Sequence, residues 1–480
     1  MNKIRTMCFF FLLLLMTGTG VAQNNPPVTK LTLKQCIETG LANNLDVLQS
    51  ELQMESSKIT MSQAKLNLLP DLNGSANHNF SQGRSIDPYS NSPVTQGVNS
   101  SNFNINSGVI LFNGLSLQNA VKQYSLAYQA SKMDWQQVKD NLTINIILAY
   151  LQVLSNEDQL EQSKNQVLLS NKQVERLNIL NKEGAIRPSD LYDLKGQYSS
   201  DELAIINAQN SLETSRIALC QFLNIPYSKD LSLERLEPGS FAVKYEETPD
   251  KIYQTALEQL ALIKAVDLRK QSAEKAVKVA KGQLFPTLSF GGSVGTSYSS
   301  VARQSQYINT IYTSTSDSAI VNNVKYPVFR FQDNFTDPSK IGYKDQLKNN
   351  VSTFYGFSLT VPIFNAFQQR NRVKQAKITL RNSELIAKTT RTQLSQSIEQ
   401  AYINMASASE RYKTLVEQVD AFNESFRAAE IRFNEGATTS IDYLIAKNNL
   451  DRANINLIAA RYDYLLRTKI LDYYQGKQLW

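Results

Sequence analysis

Apolar residues recur at every seventh position through the middle of each half of this chain. In the first half Ile146, Val153, Leu160, Val167 and Val174 keep that spacing, and three residues on, Ala149, Asn156, Ser163, Ser170 and Leu177 make a second stripe of mostly small side chains. Two such stripes form a coiled-coil seam. The second half repeats it with Ile398, Met405, Tyr412, Val419 and Phe426, flanked by Ala401, Ala408, Leu415, Phe422 and Ala429, each 252 residues beyond its counterpart. The pattern predicts long helices over 115–182 and 366–434. A helix of about seventy residues is about 100 Å long, too long to be buried against an ordinary globular domain.

The same offset relates Asn119-Ala120-Val121-Lys122-Gln123 to Asn371-Arg372-Val373-Lys374-Gln375, Glu183-Gly184-Ala185 to Glu435-Gly436-Ala437, and Asp190 to Asp442. An offset unbroken over that length means no insertion was tolerated, which suits a rigid helix. Upstream the spacing is 216, relating Ala64-Lys65, Pro70 and Leu72 to Ala280-Lys281, Pro286 and Leu288, so the second half has 36 extra residues before Phe364. Shorter helices are predicted over 31–68, 188–222, 250–284 and 440–473. Two of them end to end match one long helix, so each half reads as a helical hairpin with one continuous arm and one broken arm.

Between the helices lie runs of strand type. Tyr355, Phe357, Leu359, Val361 and Ile363 alternate with Gly356, Ser358 and Thr360, and weaker alternation surrounds Leu72, Phe103 and Phe290. The expected strands are 71–82, 103–112, 287–298 and 353–364. About ten residues each suits a tilted strand crossing a bilayer. Four strands cannot close a barrel around anything, and an open edge in lipid leaves backbone groups unsatisfied, so the barrel must be shared between chains. Eight strands would fill with side chains, whereas twelve leave a lumen. The polar segments Gln82–Ser101 and Ser299–Asn350 are the expected outer loops, the second with hairpin character at Tyr307–Tyr312.

At the opposite end of each hairpin the helical pattern breaks. Gly184 and then Pro188 supply a glycine stop and a proline-opened start, and Gly436 followed by Ser440 does the same, with Ser440 as the expected N-cap. These are two equivalent tips.

Composition narrows the chemistry. Lys3 and Arg5, the apolar run Phe9–Met16 and the small residues up to Ala22 read as a secretory signal over 1–22. Formal net charge is +7, without the dense basic patch of a nucleic-acid binder. Cys36 and Cys220 fall among apolar residues on expected helices and read as buried and unpaired. His78 is the only histidine, which excludes a histidine-based triad or a multi-histidine metal site. No nucleotide fingerprint, cofactor site or catalytic constellation is expected. The domain plan is signal peptide 1–22, first repeat 23–225, linker in an equatorial belt 226–249, second repeat 250–474 and C-terminal tail 475–480.

The duplicated helix, strand, strand, helix order, the Leu69-Pro70 and Phe285-Pro286 junctions, the Phe112-Asn113-Gly114 and Phe364-Asn365-Ala366 strand exits and the two tips together resemble the TolC-like outer-membrane efflux proteins over nearly the whole mature chain. The resemblance implies a mainly α chain that contributes four strands to a trimeric twelve-stranded outer-membrane β-barrel, continued by a long α-helical tunnel into the periplasm. It implies a homotrimeric exit duct for tripartite efflux or type I secretion, working with a periplasmic adaptor and an inner-membrane transporter of RND or ABC type, in contact with outer-membrane lipid.

By the same resemblance Gly184, Ala185, Ile186 and Arg187, with Gly436, Ala437, Thr438 and Thr439, occupy adaptor-docking positions. The plainer reading is that small residues there permit the turns. Asp442 matches an aspartate at the constricted entrance, where copies of like charge repel unless cations bind between them; otherwise it favours its helix N-terminus. Asp190 is the equivalent on the first tip. Ile445 stands where a second ring aspartate is expected, and Thr438 where some members have a gate arginine. Arg370, Arg372, Lys374, Lys377 and Arg381 read either as a contact with anionic headgroups or as a solvated helix face. The competing class is a periplasmic coiled-coil adaptor or scaffold without a pore, which explains the heptads but not the strand pairs at both junctions.

Overall fold

The computed structural model describes residues 30–86, 91–95, 97–229, 231–235, 247–477 and 479. The signal segment 1–22 lies outside the described residues, as do 230 and 236–246 of the expected belt linker 226–249. The chain divides into two units, one of Met1–Leu52, Met133–Lys264 and Thr389–Trp480, the other of Gln53–Lys132 and Ala265–Lys388.

The elements run α1 (Leu33–Asn43), α2 (Leu45–Leu66), β1 (Asp71–Ser81), β2 (Ser85–Ile86), β3 (Pro93–Val94), β4 (Val98–Phe112), α3 (Ser116–Lys182), α4 (Pro188–Leu223), α5 (Pro249–Gln259) and α6 (Ala261–Gly282). The second half continues with β5 (Thr287–Ser299), β6 (Arg303–Gln304), β7 (Tyr307–Val321), β8 (Val324–Phe335), β9 (Ser339–Lys340), α7 (Tyr343–Asn349), β10 (Ser352–Thr360), α8 (Gln368–Asn434) and α9 (Ser440–Tyr474). The long helices α3 and α8 have 67 residues each. Among the described residues no helix is long and apolar enough to cross a membrane.

Two expected helices are each two helices. The stretch 31–68 breaks at Asn44 and the stretch 250–284 breaks at Leu260, both in extended conformation with ψ 128° and 132°. The positions are equivalent in the repeat, 216 apart. Neither glycine nor proline marks them. Asn44 is held by tertiary contacts, its Nδ2 donating to Phe222 O over 3.1 Å and its Oδ1 accepting from Asp46 N over 2.9 Å. Leu260 is turned inward and only 5% exposed, so packing outweighs the modest helix propensity lost at one residue.

The first unit is built on three apolar clusters. Cys36, Ile37, Ile146, Tyr150, Leu219 and Leu223 join α1, α3 and α4. Ile252, Ile263, Leu394, Ile398, Met405 and Leu471 join α5, α6, α8 and α9. The third cluster lies at the tips. The α3 seam is inward, with Ile146 and Val153 fully buried and Asn156, Ser163 and Ser170 buried beside them. Cys36 and Cys220 are both free and buried, and burial pushes the Cys36 thiol up to about 12. Tyr150 donates to the carbonyl of Glu234 over 2.6 Å, beside a parallel bridge between Leu31 and Leu233.

In the second unit β1, β4, β5 and β10 form one antiparallel sheet in the order β1-β4-β5-β10. Its register sorts most of the side chains, with Ile110 and Phe354 on the otherwise polar face and His78, Ser107 and Thr296 on the otherwise apolar one. Leu72, Phe103, Ile105, Val109, Phe290 and Phe357 share one face, while Asn73, Asn104, Asn106, Ser289, Ser293 and Ser358 share the other. A shift between Ile110 and Phe112 displaces Leu111 from the alternation.

Two strand limits differ from expectation. The strand expected at 103–112 starts at Val98, and that expected at 353–364 stops at Thr360, two residues before Pro362, which has no N–H for a ladder. The 36 extra residues of the second half hold a separate β7–β8 hairpin whose two-residue turn, Asn322-Asn323, has φ 52° and 68°. Positive φ at both positions is the geometry that matches strand twist.

Strand exits in the two repeats share a left-handed pair. Gly114 and Leu115 have φ 65° and 61°, and their equivalents Ala366 and Phe367 have φ 50° and 60°. At Gly114 the approach of Gly282 also excludes a side chain, since a Cβ would lie 2.4 Å from Gly282 O.

Candidate functional site at the helical tips

Both long helices end in the same way. Gly184 and Gly436 take φ 72° and 70°. Ala185 N donates to Leu180 O over 2.9 Å and Ala437 N to Arg432 O over 2.8 Å, a six-residue closure that satisfies a terminal carbonyl. Neither glycine has a neighbour within 4 Å of an added Cβ, so it is φ alone that favours glycine there.

The returning helices start differently. Pro188 opens α4, and Arg187 at its N-cap makes no side-chain cap bond. The N-cap of α9 is Thr439, not Ser440, because its Oγ1 accepts from Asp442 N over 3.3 Å. Ser440 is thereby inside the first turn and buried, and its hydroxyl is turned to the other tip. It lies 2.8 Å from Asp190 Oδ1 and 3.0 Å from Asp193 Oδ2.

The two aspartates therefore have different surroundings despite equivalent positions. Asp190 is half-buried in this contact between repeats. Asp442 is exposed, with Oδ2 accepting from Thr438 Oγ1 over 2.8 Å and Thr439 Oγ1 over 2.9 Å. Those two hydroxyl bonds, then the backbone bond to Thr439 and the charge of Arg432, hold its carboxyl below the usual carboxylate range. Ile441 and Ile445 beside it are also exposed.

Gly184, Ala185, Ile186, Arg187, Gly436, Ala437, Thr438 and Thr439 all line a single open cleft of about 750 Å³, together with Asp190. Arg176 on α3 closes one side, donating from Nη2 to Asn434 O over 2.7 Å and from Nη1 to the Asn434 side chain. It caps the carbonyl end of α8, where a cation is favoured.

Behind the cleft Tyr443 is fully buried, stacked on Phe433 at 4.9 Å and against Phe426 at 5.6 Å. One turn further along α9, Lys447 is 1% exposed and its Nζ lies 2.9 Å from Asp201 Oδ2 and 2.7 Å from Asp451 Oδ2. Ser170 on α3 also donates to Asp201, and Gln197 donates to its Oδ1 over 2.7 Å. Burial raises the Asp451 carboxyl above the ordinary range, opposed by Lys447. This polar knot ties α3, α4 and α9 together. Sequence reading missed it, although a lysine seven residues after Ser440, in the inward register of α9, is the signal.

The sequence profile of the family described as "Outer membrane efflux protein" matches residues 36–224 and 252–474. Outer membrane protein TolC of Vibrio cholerae serotype O1 is 24% identical over 428 residues, covering 88% of this chain and 86% of that protein. Among solved structures, the outer membrane protein VceC from Vibrio cholerae aligns with a TM-score of 0.73 at 16% identity, over 93% of this chain and 97% of that one. The Campylobacter jejuni CmeC outer membrane channel has the same TM-score and identity, over 92% and 85%.

Proposed function

The chain belongs to the outer membrane efflux protein family and acts as an outer-membrane exit duct of efflux systems; from that premise we propose that three copies close one twelve-stranded barrel and continue it as a helical tunnel to a gated entrance at the tips. The observation that carries this reading is the register of the sheet. One face is predominantly apolar and the other predominantly Asn, Ser and Gly, the asymmetry that a wall between lipid and water requires. The edges β1 and β10 then pair between neighbouring copies, which leaves no strand edge in lipid.

The duct is passive and has no chemistry of its own. Energy and cargo choice come from an inner-membrane transporter of RND or ABC type, in a tripartite efflux or type I secretion system. A periplasmic adaptor docks at the cleft lined by Gly184 to Arg187 and Gly436 to Thr439. Asp442 supplies the charge at the entrance, and the Ser440–Asp190 contact holds the tips of one chain together.

Single-channel conductance of protein extracted from the outer membrane tests the proposal. A small, stable conductance blocked by a multivalent cation from the tip side is the expected result. Folded, inserted protein that conducts through a monomer, or never conducts in any state, overturns it.

A further inference from the structure

We infer that the start of α8, together with the apolar turn before it, is a binding surface for the anionic phospholipid headgroups of the inner leaflet, an inference that rests on the membrane-spanning sheet proposed above. Arg370, Lys374, Lys377 and Arg381 fall at i, i+4, i+7 and i+11 and so share one helix face. All four are exposed, and none is in an ion pair among the described residues. A solvated helix face of ordinary composition alternates its charges; this one does not until Glu384.

The stripe is continuous with an apolar anchor. Ile363 is 93% exposed and Phe364 77% exposed, in the segment that leaves the apolar face of the sheet. Phe364 packs edge-on to Phe367 at 5.7 Å, and the Arg370 guanidinium lies 5.5 Å from the Phe367 ring. Two of the three other crossings between sheet and helix share the composition, with exposed Leu69, Leu284 and Phe285 next to exposed Lys65 and Lys281. Aromatic side chains followed by cations mark the boundary between hydrocarbon and water.

The lengths agree. Eleven residues of helix rise about 16 Å, whereas one headgroup layer is roughly 5–8 Å deep. Arg370 and Lys374 therefore reach phosphates directly. Lys377 and Arg381 sit within about one Debye length, 8–10 Å, of the charged surface. The basic stripe thus sets the depth of the protein as well as its lipid neighbours.

The test uses the full-length protein purified from outer membrane in detergent, incubated with an equal mixture of phosphatidylglycerol and phosphatidylethanolamine, with retained lipids counted by mass. Wild type is expected to enrich phosphatidylglycerol, and to lose that enrichment in high salt. Replacing Arg370, Lys374, Lys377 and Arg381 together by Gln lowers the retained ratio by about threefold or more. Arg370→Lys with Arg381→Lys keeps it, and Lys325→Gln with Arg330→Gln on β8 leaves it unchanged. An unchanged ratio in the glutamine variant overturns the inference. So does an unchanged ratio with altered ion selectivity in a bilayer, which would put the stripe on the water path. Wild-type protein that inserts and conducts yet shows no preference sinks this inference alone, whereas failure to insert sinks the duct reading with it.

Discussion

Ser440 on the second tip lies 2.8 Å from Asp190 Oδ1 on the first, a contact between the two repeats by residues 250 apart in the chain. With the 3.0 Å contact to Asp193 it ties the returning helices at their first turns, and it joins a buried hydroxyl to a carboxylate.

Ser440→Ala removes that tie without changing the helix cap, which belongs to Thr439. A hydrogen bond to a charged group contributes about 1.5–3 kcal/mol, so the population of open entrances is expected to rise about tenfold or more. Single-channel recording reads this as frequent large openings. Asp190→Asn should act in the same direction and more weakly, since the amide oxygen still accepts.

Asp442→Asn is expected to relieve block by multivalent cations while leaving the open conductance little changed. Persistent block in this variant would remove Asp442 from the entrance. The acid dependence follows from its depressed carboxyl. The stabilising bonds it accepts are present above the unfolded-state value near 4 and are lost only as pH falls through its lower folded value. Cation block should therefore persist at pH 5 and fail below the ordinary carboxylate range, measured as the blocking concentration at each pH.

Lys447→Met leaves Asp201 and Asp451 buried without their cation, at a cost of about 3–5 kcal/mol. Thermal unfolding should show a clear loss, and adding Asp201→Asn and Asp451→Asn should recover most of it. The raised Asp451 carboxyl gives the opposite pH sense to Asp442. Its protonated form suits the folded site, so this group favours folding below its unfolded value and loses that contribution as pH rises through its folded value. Asp451→Asn should flatten that slope.

Gly114→Ala places a Cβ 2.4 Å from Gly282 O on a left-handed backbone. A loss of about 1–3 kcal/mol in stability is expected. Ala366→Gly, at the equivalent left-handed position, should gain about 1 kcal/mol. Both are read from melting temperatures.

Much of this architecture was legible because a helix seam and a strand face are periodic. Val153 and Met405 are buried at their expected heptad positions, and Phe357 opposes Phe290 on the apolar face. What was not legible depends on tertiary contacts. The break at Asn44 is sustained by Phe222, far away in sequence, and the break at Leu260 by burial alone. Ser440 has the composition of a cap, but the adjacent Thr439 took that role and released Ser440 for Asp190. Repeat symmetry predicted like roles for Asp190 and Asp442, and the differences between the tips, Pro188 against Ser440 and Ile186-Arg187 against Thr438-Thr439, made them unlike.

The polar face of the four-stranded sheet carries mainly amides, hydroxyls and glycines, with Ile110 and Phe354 among them and Asp71 its single charge among the paired residues. Amides and hydroxyls solvate cations and anions alike. In the proposed barrel, an ion or zwitterion that has passed the tips meets no well deep enough to hold it and no barrier to turn it back. Sorting is then completed at the entrance, and the last stretch of the path releases whatever it receives at the rate of diffusion.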